Sequence, residues 1–193
     1  MPSLITVLKL LPLASAAILF AGAAVAQSVL YEKSRISCVS RQENVPVEAQ
    51  FRKFTAQIEF DPAKPAAGKA QIDIDVGSFD IGFADFNDEA KGKSWFDVRT
   101  FPQARFVATA IRALGGGRFE ARGPLTIKGK TLDVTAPFTH KTEAGAGIFD
   151  GVFTIKRLQY NIGEGAWKDT DTVADDVQIK FHIVVAARPV AKK

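Results

Sequence analysis

The stretch of sequence that decides the fold class is VQIKFHIVV, residues 177–185. Apolar residues occupy every second position of this stretch: Val177, Ile179, Phe181, Ile183 and Val185 alternate with the polar residues Gln178, Lys180 and His182. A period of two with one apolar face is typical of an antiparallel strand that has solvent on one side and a core on the other. The stretch therefore predicts a half-buried β-strand.

The same alternation returns along most of the chain. It is strong at residues 54–60, 72–76 and 132–138, and weaker at residues 29–39, 104–113, 117–127 and 147–158. Glycine and proline turn signals separate these segments. Roughly eight short strands with turns this frequent indicate a sandwich or a closed barrel, and closure removes unpaired strand edges. We therefore predict an all-β fold, an eight-stranded antiparallel barrel.

One segment breaks the period of two. In DFNDEAKGKSWFDVRTFPQ, residues 85–103, Asp85 is a good N-cap and acidic residues follow in the first turn. Pro102 disfavours helical backbone at the residue before it. The segment predicts a short helix over about residues 86–97, which Gly92 weakens.

Residues 93–106, KSWFDVRTFPQARF, interleave aromatic and basic residues. This pattern can mean a stacking surface for a nucleic acid strand, or a helix and turn that cover a barrel mouth. The chain has 25 Lys and Arg against 21 Asp and Glu, a formal net charge of +4, with the acidic residues interspersed throughout. A nucleic-acid-binding face needs a concentrated basic patch. We predict no nucleic acid partner and interpret the segment as a lid.

The first 26 residues have the layout of a secretory signal peptide. A basic residue, Lys9, precedes an apolar stretch over residues 10–25, and Ala24 and Ala26 stand where a signal peptidase cuts. An uncleaved membrane anchor is the alternative, but the apolar stretch is short against the roughly 20 residues of a spanning helix. We therefore expect cleavage between Ala26 and Gln27, export to the periplasm, and one domain over residues 27–193.

Three segments resemble the YceI-like family of exported bacterial proteins: SWFDVRTFPQARF (94–106), GRFEARGPLTIKGKTLDVTAPFT (117–139) and FTIKRLQYNIGEGAWKDTDTVADDVQIKFHI (153–183). The resemblance implies a lipocalin-like, eight-stranded antiparallel barrel. It also implies a ligand, because several members hold a long polyisoprenoid or another fatty chain inside the barrel. Some related domains are fused to, or encoded beside, membrane b-type cytochromes. The family often has a His-Ser pair in its first strand, and this chain has Ser34-Arg35 there.

The inward face of the predicted barrel supplies the candidate ligand-binding residues. Fifteen Phe against two Tyr leave few hydroxyl groups in such an interior, which suits a hydrocarbon guest. The alternative is that these side chains simply fill the barrel. The candidates on the strands and at the lid entrance are Phe54, Ile58, Phe60, Ile72, Ile74, Val76, Phe79, Phe83, Trp95, Phe96, Phe101, Phe106, Leu125, Ile127, Phe138, Phe153, Ile155, Phe181 and Ile183.

Residues that could carry chemistry are sparse. Cys38 is the single cysteine and suits a buried strand position. His140 and His182 have no neighbouring carboxylates at a metal-ligand spacing, and the acidic run at residues 168–176 does not match a calcium loop. We predict no metal site, no cofactor and no catalysis.

Two function classes follow from the sequence. The first is a non-enzymatic periplasmic carrier that sequesters a long isoprenoid or quinone-like lipid. The alternative is a soluble interaction module for a membrane b-type cytochrome or another envelope partner, with the barrel as a scaffold only. Whether two chains pair as a homodimer stays open at this stage.

Overall fold

Eleven antiparallel strands and one α-helix make up residues 27–186, the part of the chain that the computed structural model describes. This confirms the predicted all-β antiparallel fold with one short helix. The predicted signal peptide, residues 1–26, lies outside the described residues. The elements are β1 (Arg35–Gln42), β2 (Val45–Phe51), β3 (Phe54–Glu59), β4 (Lys69–Asp75), β5 (Phe79–Asp80), α1 (Ala84–Lys91), β6 (Gln103–Val107), β7 (Ala110–Gly115), β8 (Arg118–Ile127), β9 (Lys130–Glu143), β10 (Ala146–Lys156) and β11 (Asp176–Val185), with 3-10 turns at Tyr31–Lys33, Pro65–Ala67, Val76–Ser78, Arg157–Tyr160 and Gly165–Lys168.

The strands form a single curled sheet in the order β3-β4-β6-β8-β9-β10-β11-β1-β2-β5, with β7 paired to β8 beside β6. The N-terminal segment links two strands that are not neighbours in this order. Gln27 forms an antiparallel bridge with Ile58 on β3, and Val29 forms one with Val185 on β11. The apolar faces of the strands therefore surround one interior.

The structure has eleven strands where the sequence predicts eight, because the alternation of apolar residues does not reveal three of them. β2 carries polar residues and Pro46, and β5 is two residues long. The predicted strand at residues 104–113 is two strands, β6 and β7. The chain shifts at Thr109, whose backbone N–H donates to the Arg122 carbonyl. At the neighbouring Gly123, a Cβ would stand 1.9 Å from the Val107 carbonyl oxygen, so the break requires glycine there.

The helix begins and ends earlier than predicted. It spans Ala84–Lys91, so Asp85 lies in its first turn instead of capping it. The chain before the helix is held by Asn87, whose side chain accepts from the Ile81 N–H and donates to Asp80 on β5. The helix ends at Gly92, whose N–H bonds the Glu89 carbonyl. The contact with β5, which local composition does not encode, sets the start of the helix.

The core consists of two clusters at opposite ends of β8. The aromatic cluster contains Ala56, Ile58, Phe60, Ile111, Phe119, Ala121, Phe138, Phe149, Ile183 and Val185. The lid cluster contains Val76, Ala104, Leu125, Ile127, Ile155, Tyr160 and Ile162, and Trp95 and Phe96 pack against it. No helix within residues 27–186 is both long and apolar enough to cross a membrane.

Candidate functional site

An apolar cavity of about 160 Å³ lies inside the curled sheet. Its wall includes side chains from both the aromatic cluster and the lid cluster, so the cavity extends along the strands. Four apolar residues of β11 line it at alternating positions: Val177, Ile179, Phe181 and Ile183. The alternation seen in the sequence of this strand is thus the alternation between cavity wall and outer surface.

Fourteen of the candidate ligand-binding residues line this cavity: Ile58, Phe60, Ile72, Ile74, Val76, Phe96, Phe106, Leu125, Ile127, Phe138, Phe153, Ile155, Phe181 and Ile183. They come from seven strands, the residue that follows β3, the 3-10 turn after β4 and the turn after α1. The alternation of apolar residues therefore brings together side chains that are far apart in the chain.

The other five candidates lie outside the cavity wall. Phe54 packs edge to face on Tyr31, and Phe79 packs on Phe51 and Phe96. Trp95 packs against the lid cluster, and the Phe101 ring lies over Gly129. Phe83 is 66% exposed. The predicted entrance residues thus separate into a packed layer and an exposed end. The exposed end is Phe83, the residue directly before α1, whose ring faces solvent.

Sequence reasoning missed large apolar wall residues, among them Phe51, Ile111 and Phe149, and two further kinds of wall residue. The first are small residues, among them Ala104, Ala121 and Ala136. Their position two residues from a large apolar neighbour on the same strand, as with Ala104 and Phe106, was the signal that could have found them. The second kind are polar residues whose neighbours bury them: Cys38 and Arg157 both line the cavity.

The Cys38 thiol is held in its protonated form. Burial and the charge of Glu48 raise its pKa to about 12, against the lowering effect of a backbone hydrogen bond at Ala49. A protonated thiol is a poor nucleophile and a poor metal ligand. Cys38 therefore contributes an apolar surface to the cavity.

Arg157 is the buried cation of the site, with 2% of its surface exposed. Its guanidinium is saturated by backbone carbonyls in the segment between β10 and β11. Nε donates to Ala174 at 3.1 Å, and the two Nη atoms donate to Ile162, Gly163, Trp167 and Val173 at 2.6–3.0 Å, with a longer contact of 3.5 Å to Asp169. Burial lowers the pKa of Arg157, while the charge of Asp175 opposes that shift. The residue organises this segment and leaves no free donor for the cavity.

The lid segment, residues 92–101, is hydrogen-bonded to the segment between β10 and β11 that Arg157 organises. The Lys128 ammonium, whose side chain is 7% exposed, donates to the Lys93 and Asn161 carbonyls and to Glu164. The Ser94 carbonyl accepts from the Gly163 and Glu164 N–H groups. These polar contacts hold the rim of the lid, and Trp95 and Phe96 pack its apolar side against the lid cluster.

One of the three basic residues within residues 93–106 is paired with a carboxylate. Arg105 pairs with Asp73 on the neighbouring strand, and Lys93 and Arg99 are exposed. This arrangement fits the interpretation of the segment as a lid.

The two histidines lie apart from each other. His140 packs between Phe60 and Phe149, at ring-centroid distances of 5.2 and 4.8 Å, and burial lowers its pKa. His182 Nδ1 lies 2.6 Å from the Asp150 carboxylate. Residues 27–186 contain no group of three or more His, Cys, Asp or Glu residues that could hold a metal ion.

A curled antiparallel sheet with an apolar interior and one short helix is the architecture of a lipocalin-like protein. The chain belongs to the YceI-like family, since the YceI-like domain matches residues 28–185.

Three known proteins show how far the similarity extends. The crystal structure of BcnA from Burkholderia cenocepacia is 54% identical in sequence, with a TM-score of 0.80 over 81% of this chain and 99% of that one. A polyisoprenoid binding domain from Saccharophagus degradans is 18% identical, with a TM-score of 0.66 over 85% of this chain and 99% of that domain, which shows the shared fold. A UPF0312 protein of Pseudomonas putida (strain W619) is 30% identical over 97 residues, so the chain spans half the length of that relative.

Proposed function

We propose that this protein is a periplasmic binding and carrier protein that sequesters a long apolar lipid, an isoprenoid or quinone-like molecule, inside its sheet. The observation that carries the proposal is the cavity of about 160 Å³ with a wall made almost entirely of aliphatic and aromatic side chains. Two of its three polar wall residues offer a ligand no free charged donor: the Arg157 donors are occupied by backbone carbonyls, and Cys38 is a neutral thiol. The third, Lys69, is 74% exposed and pairs with Glu59.

The size of the hydrophobic effect favours a long chain over a small ligand. Each buried methylene contributes about 0.8 kcal/mol, so a five-carbon isoprene unit contributes about 4 kcal/mol. Association costs about 4–15 kcal/mol in lost freedom. Several isoprene units are therefore needed before a purely apolar ligand is held tightly. A chain of that length is larger than the cavity of about 160 Å³, so its binding requires the interior to widen.

The empty cavity also carries a cost in stability. At roughly 24 cal/mol per Å³, a cavity of about 160 Å³ destabilises the ligand-free fold by about 4 kcal/mol. A bound chain would recover much of this free energy. Further support comes from the Saccharophagus degradans domain, which is a polyisoprenoid binding domain with the same fold, and from the signal-peptide layout of residues 1–26.

The experiment is native mass spectrometry of the protein exported by its own host and purified without detergent. Protein from which any lipid has been extracted is then titrated with prenyl chains. The expected result is a retained lipid whose mass fits a prenyl or other long-chain compound. An Ala136→Phe variant, which places a ring in the cavity wall, serves as the control and should retain less lipid. A lipid-free native protein that also binds no prenyl chain would refute the proposal.

A second candidate function, docking on a membrane b-type cytochrome or another envelope partner, is favoured by one observation. Phe83 and Phe86, at the start of α1, are 66% and 51% exposed, and their rings pack edge to face at 6.2 Å. Exposed aromatic residues are enriched at protein interfaces. A Phe83→Ser, Phe86→Ser double variant separates the two functions: docking predicts loss of co-purification with the cytochrome, while lipid retention stays unchanged.

A further inference from the structure

Residues 27–30, which we call the seam strand, close the curled sheet at the end that holds the aromatic cluster. β3 stands at one end of the strand order and pairs with β4 on one edge. On its other edge, Ile58 pairs with Gln27. Across the seam strand, the Leu30 N–H donates to the Val184 carbonyl of β11 at 2.8 Å. The seam strand therefore joins β3 to β11.

Gln27 contacts β3 through both its main chain and its side chain. Its main-chain N–H donates to the Ile58 carbonyl at 2.9 Å, and its side-chain Oε1 accepts from the Phe60 N–H at 3.3 Å. Because Gln27 and Ile58 pair antiparallel, the Phe60 N–H lies on the N-terminal side of Gln27, where an earlier residue of a longer strand would supply the acceptor. The side chain of Gln27 therefore folds back past its own main-chain nitrogen and takes the place of that acceptor.

Removal of the expected signal peptide changes the chemistry of this nitrogen. Cleavage between Ala26 and Gln27 converts it from a peptide nitrogen into the α-amine of the mature chain. An ordinary α-amino group has a pKa of about 7.7–8.0, so a sizeable fraction is unprotonated and nucleophilic near neutral pH. The amine then lies on the same edge of β3 as the amide of its own side chain. Holding two reacting groups together in this way accelerates ring closure.

We propose that the edge of β3 holds Gln27 for cyclisation to pyroglutamate in the mature protein. The unprotonated α-amine attacks Cδ of the side-chain amide, a bond forms between the amine nitrogen and Cδ, and the bond between Cδ and Nε2 breaks. One proton passes from the amine to the departing Nε2, which leaves as ammonia, so the step needs no other reactant. The inference rests on the export that forms part of the proposed function, because only cleavage before Gln27 frees the amine.

Two features of this edge favour the ring. The Phe60 N–H donates to the oxygen on which negative charge develops when the amine attacks, and such a donor lowers the barrier. The product is neutral, whereas an α-ammonium at the half-buried Gln27 would lie beside Ile58 and Phe60, two members of the aromatic cluster, where burial disfavours a charge. The ring also keeps one N–H donor and one carbonyl acceptor, the two kinds of group that bond β3 before cyclisation.

The modification would protect the strand that closes the sheet. A pyroglutamate has no free amine, so aminopeptidases cannot trim the chain from this end. The contacts of the seam strand, which include the packing of Val29 against the aromatic cluster, are then preserved.

The first measurement is the intact mass of the protein exported by its own host, followed by the mass of its N-terminal tryptic peptide, residues 27–33. The expected mass of each is lower by one ammonia molecule than that of a chain beginning with unmodified Gln27. Trypsin also cuts after Arg41 and makes Gln42 the first residue of a new peptide, which is an internal control. Cyclisation that occurs only during digestion would modify both peptides and leave the intact mass unchanged. Gln27→Asn, whose ring would have only four members, should keep its full mass.

A rate measurement tests the contribution of the fold. Protein that begins at Gln27 is released from a cleavable N-terminal fusion, and the loss of ammonia is followed by mass in buffer and in urea that unfolds the chain. Cyclisation should be about tenfold faster, or more, in the folded protein. An equal rate, or a slower rate in the folded protein, would refute the role of β3.

The possible failures are distinguishable. A mature chain that begins at another residue refutes the expected cleavage site and this inference with it, while retained lipid would still support the carrier function. A chain that begins at unmodified Gln27 refutes this inference and leaves export and lipid binding untouched. A protein that begins with pyroglutamate but binds no lipid supports this inference and refutes the lipid-binding function.

Discussion

Replacing Arg157 by Met is expected to destabilise the fold severely. The side chain is 2% exposed and five of its hydrogen bonds to backbone carbonyls lie at 2.6–3.1 Å. Met has similar length and no donors, so the substitution leaves these carbonyls without their partner. Leaving a buried carbonyl unpaired costs about 1–3 kcal/mol. Two effects reduce the total: the carbonyls can turn partly toward water, and the variant no longer has the desolvation cost of a buried guanidinium.

The net loss is therefore smaller than the sum over the carbonyls. Breaking a buried hydrogen-bond network is among the most destabilising single changes, and with several carbonyls left partly unpaired we expect a loss of about 3–5 kcal/mol. For a chain of this size each kcal/mol lowers the melting temperature by about 2–4 °C, so the expected decrease is about 6–20 °C. Arg157→Lys, which keeps the charge but has three donors in place of five, should fall between wild type and Arg157→Met.

Urea unfolding followed by tryptophan fluorescence is a suitable assay, because both tryptophans report on this region. The Trp95 ring lies next to the guanidinium, and the Trp167 carbonyl accepts from it. Arg112→Met is the control, since Arg112 is 71% exposed and pairs with Glu120 on the surface, where ion pairs contribute little. An unfolding midpoint for Arg157→Met that matches this control would refute the role assigned to Arg157.

Three other expected outcomes concern acid stability, chain packing and ligand removal. Hydrogen bonds from the Gly82 N–H, the Arg52 side chain and Asn87 lower the pKa of Asp80 to about 2 from 3.8. The contribution of the Asp80 carboxylate to stability is therefore complete above about pH 4 and is lost as the pH falls toward 2. The melting temperature of Asp80→Asn should depend less on pH over this interval than that of wild type. Gly123→Ala should lower the free energy of unfolding by about 3 kcal/mol, and with it the urea midpoint, since its Cβ would stand 1.9 Å from a backbone oxygen; a wild-type midpoint would contradict this packing. Extraction of the bound lipid should lower the melting temperature by about 8–16 °C, and re-addition of a prenyl chain should restore it; an unchanged melting temperature would argue that the cavity is empty in the native protein.

Side-chain direction along the strands could be predicted from the sequence. Val177, Ile179, Phe181 and Ile183 alternate in the sequence, and all four line the cavity. The prediction succeeds because a strand directs successive side chains to opposite faces whatever its partners are. The existence of the one helix could also be predicted, because the two-residue alternation of apolar side chains is interrupted there.

The helix boundaries and the break between β6 and β7 could not be predicted in the same way. Asp85 has the composition of an N-cap, but the hydrogen bonds of Asn87 with Ile81 and Asp80 start the helix earlier. The chain breaks after Val107 because it meets Gly123, which is distant in the sequence. Both outcomes depend on contacts between elements, and local propensity carries no information about them.

The sequence by itself determined the all-β class, the face of the strongly alternating strands and the glycine-rich turns between them, because these follow from backbone geometry and local residue preferences. Only the tertiary structure decided that Arg157 is buried, that Phe83 is exposed, and that Trp95 Nε1 and Tyr160 Oη are buried at the lid cluster without a hydrogen-bond partner. The physical reason is that hydrogen bonding and burial depend on which distant groups approach a side chain. An arginine in a sequence of this kind reads as a surface residue until the carbonyls that surround it are known.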